Sequence, residues 1–161
     1  MTINITFPDG NVKAFEQGVT GYDIAMSISP RLAAEVIAVA VKPEGDTSAD
    51  KGVTYDLKRP IEASSSIRLL KWEDEEAKKV FWHSSSHLMA EALEALYPGV
   101  KFGIGPAVEN GFYYDVDLNG QSISDSDLPK IEKKMLELAR QKQDFVRIDV
   151  SKADALKHFE E

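Results

Sequence analysis

Thr2-Ile3-Asn4-Ile5-Thr6-Phe7-Pro8-Asp9-Gly10-Asn11-Val12-Lys13-Ala14-Phe15 decides the fold of the first half of the chain. Ile3, Ile5 and Phe7 alternate with Thr2, Asn4 and Thr6, which is the period of a half-buried strand over residues 2–8. Asp9-Gly10 then predicts a type I′ hairpin turn, whose two central residues take positive φ, and Val12 to Phe15 is the returning strand. Gly18 and Gly21 mark a loop, and Thr20 with Asp23 three residues on has the pattern of a helix N-cap. Tyr22 to Ser29 is predicted as a short helix with Ile24, Ala25 and Ile28 inward, and Pro30 either ends it or opens a further turn. Val36 to Val41 is an unbroken run of β-branched residues and alanines, the mark of a buried central strand. Pro43-Glu44-Gly45-Asp46 turns, and a polar loop continues to Gly52. Val53 to Leu57 and Ser66 to Leu70 read as strands, with Pro60 as punctuation between them. Two hairpin strands, a helix and three more strands predict an α+β chain that begins with a β-grasp, ubiquitin-like domain over residues 1–71. Other small α+β meanders share this pattern.

Lys71-Trp72-Glu73-Asp74-Glu75-Glu76 is acidic and marks a boundary, so a second region spans residues 72–161. Its acids suit the positive end of a helix dipole, and a helix is predicted from Asp74 to Leu96, stopped by Tyr97-Pro98-Gly99. Ala77, Val80, Phe81, Ser84, Leu88, Ala92, Ala95 and Leu96 form its expected buried stripe. Val100 to Ile104 and Phe112 to Leu118 are expected to pair as antiparallel strands, with turns at Asn110-Gly111 and Asn119-Gly120. A helix follows from Asp125 to Gln141, with Leu128, Ile131, Met135 and Leu138 inward. Phe145 to Val150 reads as a strand, and Ser151 caps a last helix, Lys152 to Glu161. No C-cap glycine or closing element follows, so the second region is expected to be a truncated α+β unit.

At 43% hydrophobic and 29% charged residues, the chain is globular and not disordered. No apolar run reaches the roughly 20 residues of a membrane span, and Met1-Thr2-Ile3-Asn4-Ile5 has no basic leader before an apolar core. The absence of cysteine excludes disulfides and thiolate metal sites and fits a cytoplasmic location. A net charge of −8 argues against a surface that grips nucleic acid throughout, while leaving room for a local basic patch at Arg68, Lys71, Lys78 and Lys79.

Phe81-Trp82-His83-Ser84-Ser85-Ser86-His87-Leu88 places two histidines four residues apart on the long helix. Four residues turn the helix by about 400°, so the imidazoles stand about 40° apart, one turn above the other. Such a pair is a metal half-site, but zinc takes three or four ligands, and His158 is the one further histidine. Ser84 stands where a metalloprotease carries its glutamate. A serine nucleophile between the histidines lacks a strained turn or oxyanion hole. Two hydrogen-bonded helix histidines without chemistry remain an alternative. Tyr113 and Tyr114 fall on opposite sides of their strand, so one can face a pocket. Tyr114 is favoured for that place, and core packing is the bland reading of Tyr113. Asp115 and Asp117, on the side of Tyr113, read as solvated acids, and Gly103, Gly105 and Gly111 as turn or close-approach residues.

His83-Ser84-Ser85-Ser86-His87-Leu88, Gly103-Ile104-Gly105-Pro106 and Glu109-Asn110-Gly111-Phe112-Tyr113-Tyr114-Asp115-Val116-Asp117, in this order, resemble the N-terminal part of threonyl-tRNA synthetases. Residues 1–71 resemble the TGS domain, a β-grasp module that also occurs in other proteins. The loop from Pro43 to Gly52 is longer than the tight hairpin expected in that family. The resemblance implies an enzyme that joins threonine to tRNA(Thr) with ATP, and a second region that belongs to a domain hydrolysing mischarged seryl-tRNA(Thr). It implies that His83 and His87 line that editing site as catalytic residues, with Tyr114 and Tyr113 as substrate-binding candidates. The site is completed in the family by a cysteine and a histidine of a later motif, which His158 does not match. ATP, Mg and Zn are implied for a separate synthetic domain, with no cofactor and no metal ligand in these residues. A homodimer is implied for the full-length enzyme, and a monomer with little or no activity for this stretch alone. A reading from a different class is a non-enzymatic RNA- or protein-binding module built on the β-grasp domain.

Overall fold

The computed structural model describes residues 1–143 and 146–159. β1 (Thr2–Thr6) and β2 (Val12–Glu16) form the expected antiparallel hairpin, with Thr6 opposite Val12. Its loop differs from the expected type I′ turn. The Gly10 N–H donates to the Phe7 carbonyl at 2.9 Å and the Phe7 N–H to the Asn11 carbonyl at 2.8 Å, and only Gly10 of the loop has positive φ, at 85°. Pro8 favours a turn that begins in the right-handed region, and Gly10 then absorbs the left-handed residue of a three-residue loop. The true pair of left-handed residues is Asn119 (φ 55°) and Gly120 (φ 84°), closed by the Gln121 N–H to the Leu118 carbonyl at 3.2 Å.

After β3 (Val19–Thr20), Thr20 and Asp23 form a reciprocal capping box at the start of α1 (Gly21–Ile28). Pro30 opens a second helix, α2 (Pro30–Glu35), capped by the Ser29 hydroxyl. β4 (Ala38–Pro43), β5 (Val53–Tyr55), β6 (Pro60–Ile61) and β7 (Ser65–Leu70) follow. The main sheet has the order β2-β1-β7-β4-β5, with β1 and β7 parallel and the other neighbours antiparallel. β3 and β6 pair separately.

β4 is central because both of its faces are covered. Val39 and Val41 point into the core with Ile3, Ile5, Ile24, Ile61 and Ile67, while Ala38 and Ala40 point the other way against Leu70 and Ala77. The alternation of valine with alanine thus sets a thick core on the α1 side and a close approach for a helix on the other. That helix is α3 (Glu75–Leu96), which docks its first turns through Ala77 and Val80. Arg68 and Glu76 span the same join at 3.2 Å, and Lys71 reaches Glu35 at 3.3 Å. The basic patch expected there is therefore partly neutralised.

Beyond α3, β8 (Lys101–Phe102) pairs with β11 (Val116–Asp117), and β9 (Ala107–Val108) with β10 (Gly111–Phe112). The single strand expected over 112–118 is thus split, and each part has its own partner. α4 (Leu128–Arg140) lies along α3, and α5 (Lys152–Phe159) is capped by the Ser151 hydroxyl, which accepts from the Asp154 N–H at 3.2 Å. Ile131 is buried as expected. Ile28, Leu128, Phe81, Ala95 and Leu96 are exposed, because Ile28, Leu128, Ala95 and Leu96 lie at helix ends and Phe81 stacks against Trp72 and Trp82 on the surface. The strand expected over 145–150 is absent across its described part, 146–150. Val146, Ile148 and Val150 alternate as a strand would, yet are 76%, 73% and 59% exposed. Alternation without a neighbouring ladder leaves backbone polar groups to water and gives no strand. Phe145 itself lies outside the described residues, as do Glu160 and Glu161 at the end of the expected last helix. No helix among the described residues is long and apolar enough to cross a membrane.

Candidate functional site

α3 carries the histidine pair as its spacing requires. The two Nε2 atoms lie 3.1 Å apart, with ring centroids 4.6 Å apart and ring planes at 89°. At that distance one ring can donate its N–H to the lone pair of the other, with the roles set by the tautomers of the two rings. Both rings are exposed to solvent rather than enclosed. His83 borders a cleft of about 800 Å³ between α3 and the β9–β10 hairpin, with Lys79, Trp82, Val108 and Asn110 among its walls. His87 and Tyr114 are not among the residues that line it.

Behind the imidazoles the helix is held from inside. Ser86, 1% exposed, has its hydroxyl oxygen 2.7 Å from the His83 carbonyl oxygen and 3.2 Å from that of Gly105, and its proton is shared between them. The Gly105 segment is held in turn by Tyr114. A Cβ built on Gly105 would lie 2.5 Å from the Tyr114 ring, so only glycine lets the ring lie flat on the backbone there. Tyr114 also stacks edge-on against Phe102, with centroids 5.4 Å apart.

The two tyrosines lie between β10 and β11, in no strand, and differ in exposure in the sense opposite to that expected. Tyr114 is the partly buried ring over Gly105, and Tyr113 is exposed. Asp115 and Asp117 are exposed, as expected of solvated acids, and the Asp117 carboxylate accepts the Asn119 N–H at 2.9 Å. Gly103 also serves a close approach, with Asp115 Cβ 3.0 Å from where its own Cβ would be. His158 is exposed on α5.

Sequence periodicity missed Ser86, because it lies on the side of α3 opposite the expected stripe through Ala77, Ser84 and Leu88. The three-serine run between the histidines was the available signal, since a serine inside a helix often bonds back to a carbonyl three or four residues earlier. Trp82 was also missed. It sits in an aromatic chain with Trp72 at 5.8 Å, Phe81 at 5.2 Å and Phe112 at 6.4 Å, and forms one wall of the cleft. Among the described residues no three His, Asp or Glu side chains converge on a metal-sized position. The donor set therefore does not fit a resident zinc or magnesium ion, and no chemical step is derived through one. What the arrangement offers is proton exchange at two water-accessible imidazole nitrogens beside a cleft.

Residues 3–71 match the TGS domain family. The chain is 58% identical to a threonine–tRNA ligase of Porphyromonas gingivalis, 56% to one of Bacteroides thetaiotaomicron and 51% to one of Cytophaga hutchinsonii. Each similarity covers 98% of this chain and 23% of the relative, so the chain spans about a quarter of the length of these ligases. Residues 3–71 are thus a TGS domain of β-grasp fold, and the chain that carries them is similar along nearly its whole length to threonine–tRNA ligases.

Proposed function

We propose that this chain is the TGS domain, residues 1–71, and the first part of the editing domain, residues 72–161, of a threonyl-tRNA synthetase. The whole protein joins threonine to tRNA(Thr) using ATP. The second region contributes to hydrolysis of seryl-tRNA(Thr). The observation that carries the editing role is the imidazole pair, His83 and His87, with Nε2 atoms 3.1 Å apart and His83 at the edge of a cleft.

The chemical need is a small difference in substrate. Serine lacks one methyl of threonine, and a methyl gives about 1–3 kcal/mol of discrimination, too little for faithful charging. A hydrolytic site that acts on the ester after charging supplies the rest. In this reading the ring nitrogen that the Nε2–Nε2 bond leaves with a free lone pair takes a proton from the attacking water. The oxygen adds to the seryl ester carbonyl, and the C–O bond to the terminal ribose breaks. The ribose oxygen leaves with a proton returned by the pair. Exposed rings suit the first step, because water reaches them directly. Exclusion of bulk water falls to an opposite wall, which the resemblance assigns to a cysteine-plus-histidine motif in later residues. Neither tyrosine lines the cleft: Tyr113 is exposed, and Tyr114 packs over Gly105 and would act through that segment. The reading carries with it a cytoplasmic location, a homodimer for the whole ligase, and a monomer of little activity for this stretch alone. The resemblance assigns ATP, Mg and Zn to the synthetic domain.

A charging assay tests the reading. The chain is placed into a threonine–tRNA ligase relative in exchange for its matching stretch, and the chimera is incubated with ATP, tRNA(Thr) and radiolabelled serine. The parent chimera should leave almost no seryl-tRNA(Thr), and its His83→Ala variant should accumulate it. Equal, low accumulation by both would defeat the proposal.

A further inference from the structure

The geometry points to Ser86 as the positioning residue that fixes the imidazole pair relative to the Gly105–Tyr114 segment. This inference rests on the editing role proposed for His83 and His87. Ser65 and Ser86 are the two buried polar side chains among the described residues, and Ser86 is the one on α3. Its hydroxyl lies 2.7 Å from the His83 carbonyl oxygen. In an α-helix that same carbonyl accepts the backbone N–H of the residue four positions on, which is His87. One buried hydroxyl therefore sits on the peptide group that joins the backbones of both histidines. Its second contact, 3.2 Å to the Gly105 carbonyl, crosses nineteen residues to the segment on which the Tyr114 ring lies.

Two exposed rings have few neighbours to hold them, so their orientation depends on how α3 is rotated and seated. Ser86 is the polar strut on the adjoining, buried face of that helix, about 60° round from His83 and about 100° from His87. Without its hydroxyl the Gly105 carbonyl loses its hydrogen bond to α3, and the seat of α3 against that segment loosens. A roll of a fraction of an ångström at the helix becomes a displacement at the ring nitrogens, and reactions that need aligned atoms fall steeply with such displacements. Ser86 touches neither water nor ester in this scheme and acts only through the histidines. Alanine is a better helix former than serine, so Ser86→Ala tends to preserve the helix while removing the strut.

The test uses two preparations. In the 161-residue chain, nitrogen NMR of the imidazoles reports the donor and acceptor nitrogens of the pair. The parent should show distinct donor and acceptor Nε2 signals, and Ser86→Ala should average them while the circular dichroism melt stays in place. In the ligase chimera, Ser86→Ala should lower kcat for hydrolysis of seryl-tRNA(Thr) about tenfold or more with KM within about twofold. Ser86→Thr, which retains a hydroxyl able to bond back along the helix, should recover most of that loss. If His83→Ala abolishes hydrolysis while Ser86→Ala leaves both kcat and the imidazole signals unchanged, the positioning role is overturned and the editing reading stands. If His83→Ala has no effect, the editing reading itself has failed. A loss of helicity in Ser86→Ala that matches its loss of rate would mark the residue as a fold element and equally overturn the proposal.

Discussion

Gly105→Ala is the sharpest probe of how the second region is held together. Its Cβ would meet Cδ2 and Cε2 of Tyr114 at 2.5 Å and Cζ at 2.9 Å. Carbon atoms rest about 3.5–4.0 Å apart, so the ring must retreat by about 1 Å or the 105 segment must lift from it. Overpacking of this kind costs about 1–3 kcal/mol. The backbone adds nothing to that figure. Gly105 is not among the glycines at positive φ, and alanine before Pro106 readily takes the extended conformation that position favours. The steric origin can be isolated with Tyr114→Ala. In that background Gly105→Ala should cost less than about 0.5 kcal/mol, leaving a coupling of about 1–3 kcal/mol between the two sites. Urea unfolding followed by tryptophan fluorescence is the assay. Trp72 and Trp82, the chain's two tryptophans, both lie at or in α3, so the signal follows this half of the molecule. An equal cost of Gly105→Ala with and without the Tyr114 ring would refute the reasoning.

Further outcomes follow from other contacts. Thr20→Ala removes the hydroxyl arm of the α1 capping box, leaving the Thr20 N–H on the Asp23 carboxylate, and should destabilise the TGS half by about 1 kcal/mol in a thermal melt, whereas Thr20→Ser should cost only a fraction of that. The Asp127 carboxylate accepts from the Ser124 hydroxyl, then the Ser124 N–H and Lys130, and these bonds lower its pKa to about 2. A lowered folded pKa means that its stabilisation is present above the ordinary aspartate value of about 3.9 and is lost as pH falls toward 2. A carboxyl NMR titration should therefore give a midpoint near 2, and Asp127→Asn should remove that acid-dependent loss of stability. Ile148→Lys should change stability by no more than about 0.5 kcal/mol, because the residue is 73% exposed and lies in no ladder; a larger loss would show that the 146–150 segment packs after all.

The hairpin, the capping box and the two-faced strand β4 were readable because each is a local pattern tied to one physical cause. Alternation gave β1, a hydroxyl three residues before an acid gave the start of α1, and an unbroken run of small and β-branched residues gave β4. The i, i+4 spacing likewise fixed the imidazoles one turn apart. What the sequence hid was partnership. β3 and β6 are two residues each and show no period at all. Val146, Ile148 and Val150 have the alternation of a strand but no neighbour to bond. The parity of Tyr113 and Tyr114 assumed one strand, and the chain at 113–115 lies in none. Which of them packed depended on Gly105, nine residues earlier, and on the missing Cβ there. Ser86 stayed hidden because its burial follows from a carbonyl on another segment, which no helical stripe of apolar residues reports.

The central claim is that the His83–His87 pair serves hydrolysis of a mischarged ester and not the joining of threonine to tRNA. Single-turnover hydrolysis of preformed seryl-tRNA(Thr), measured beside threonylation in the same ligase chimera, addresses it most directly. The account predicts that His83→Ala and His87→Ala each slow the hydrolysis by at least about a hundredfold while threonylation proceeds at the parent rate. Hydrolysis at the parent rate in both variants, or a parallel loss of threonylation, would contradict it.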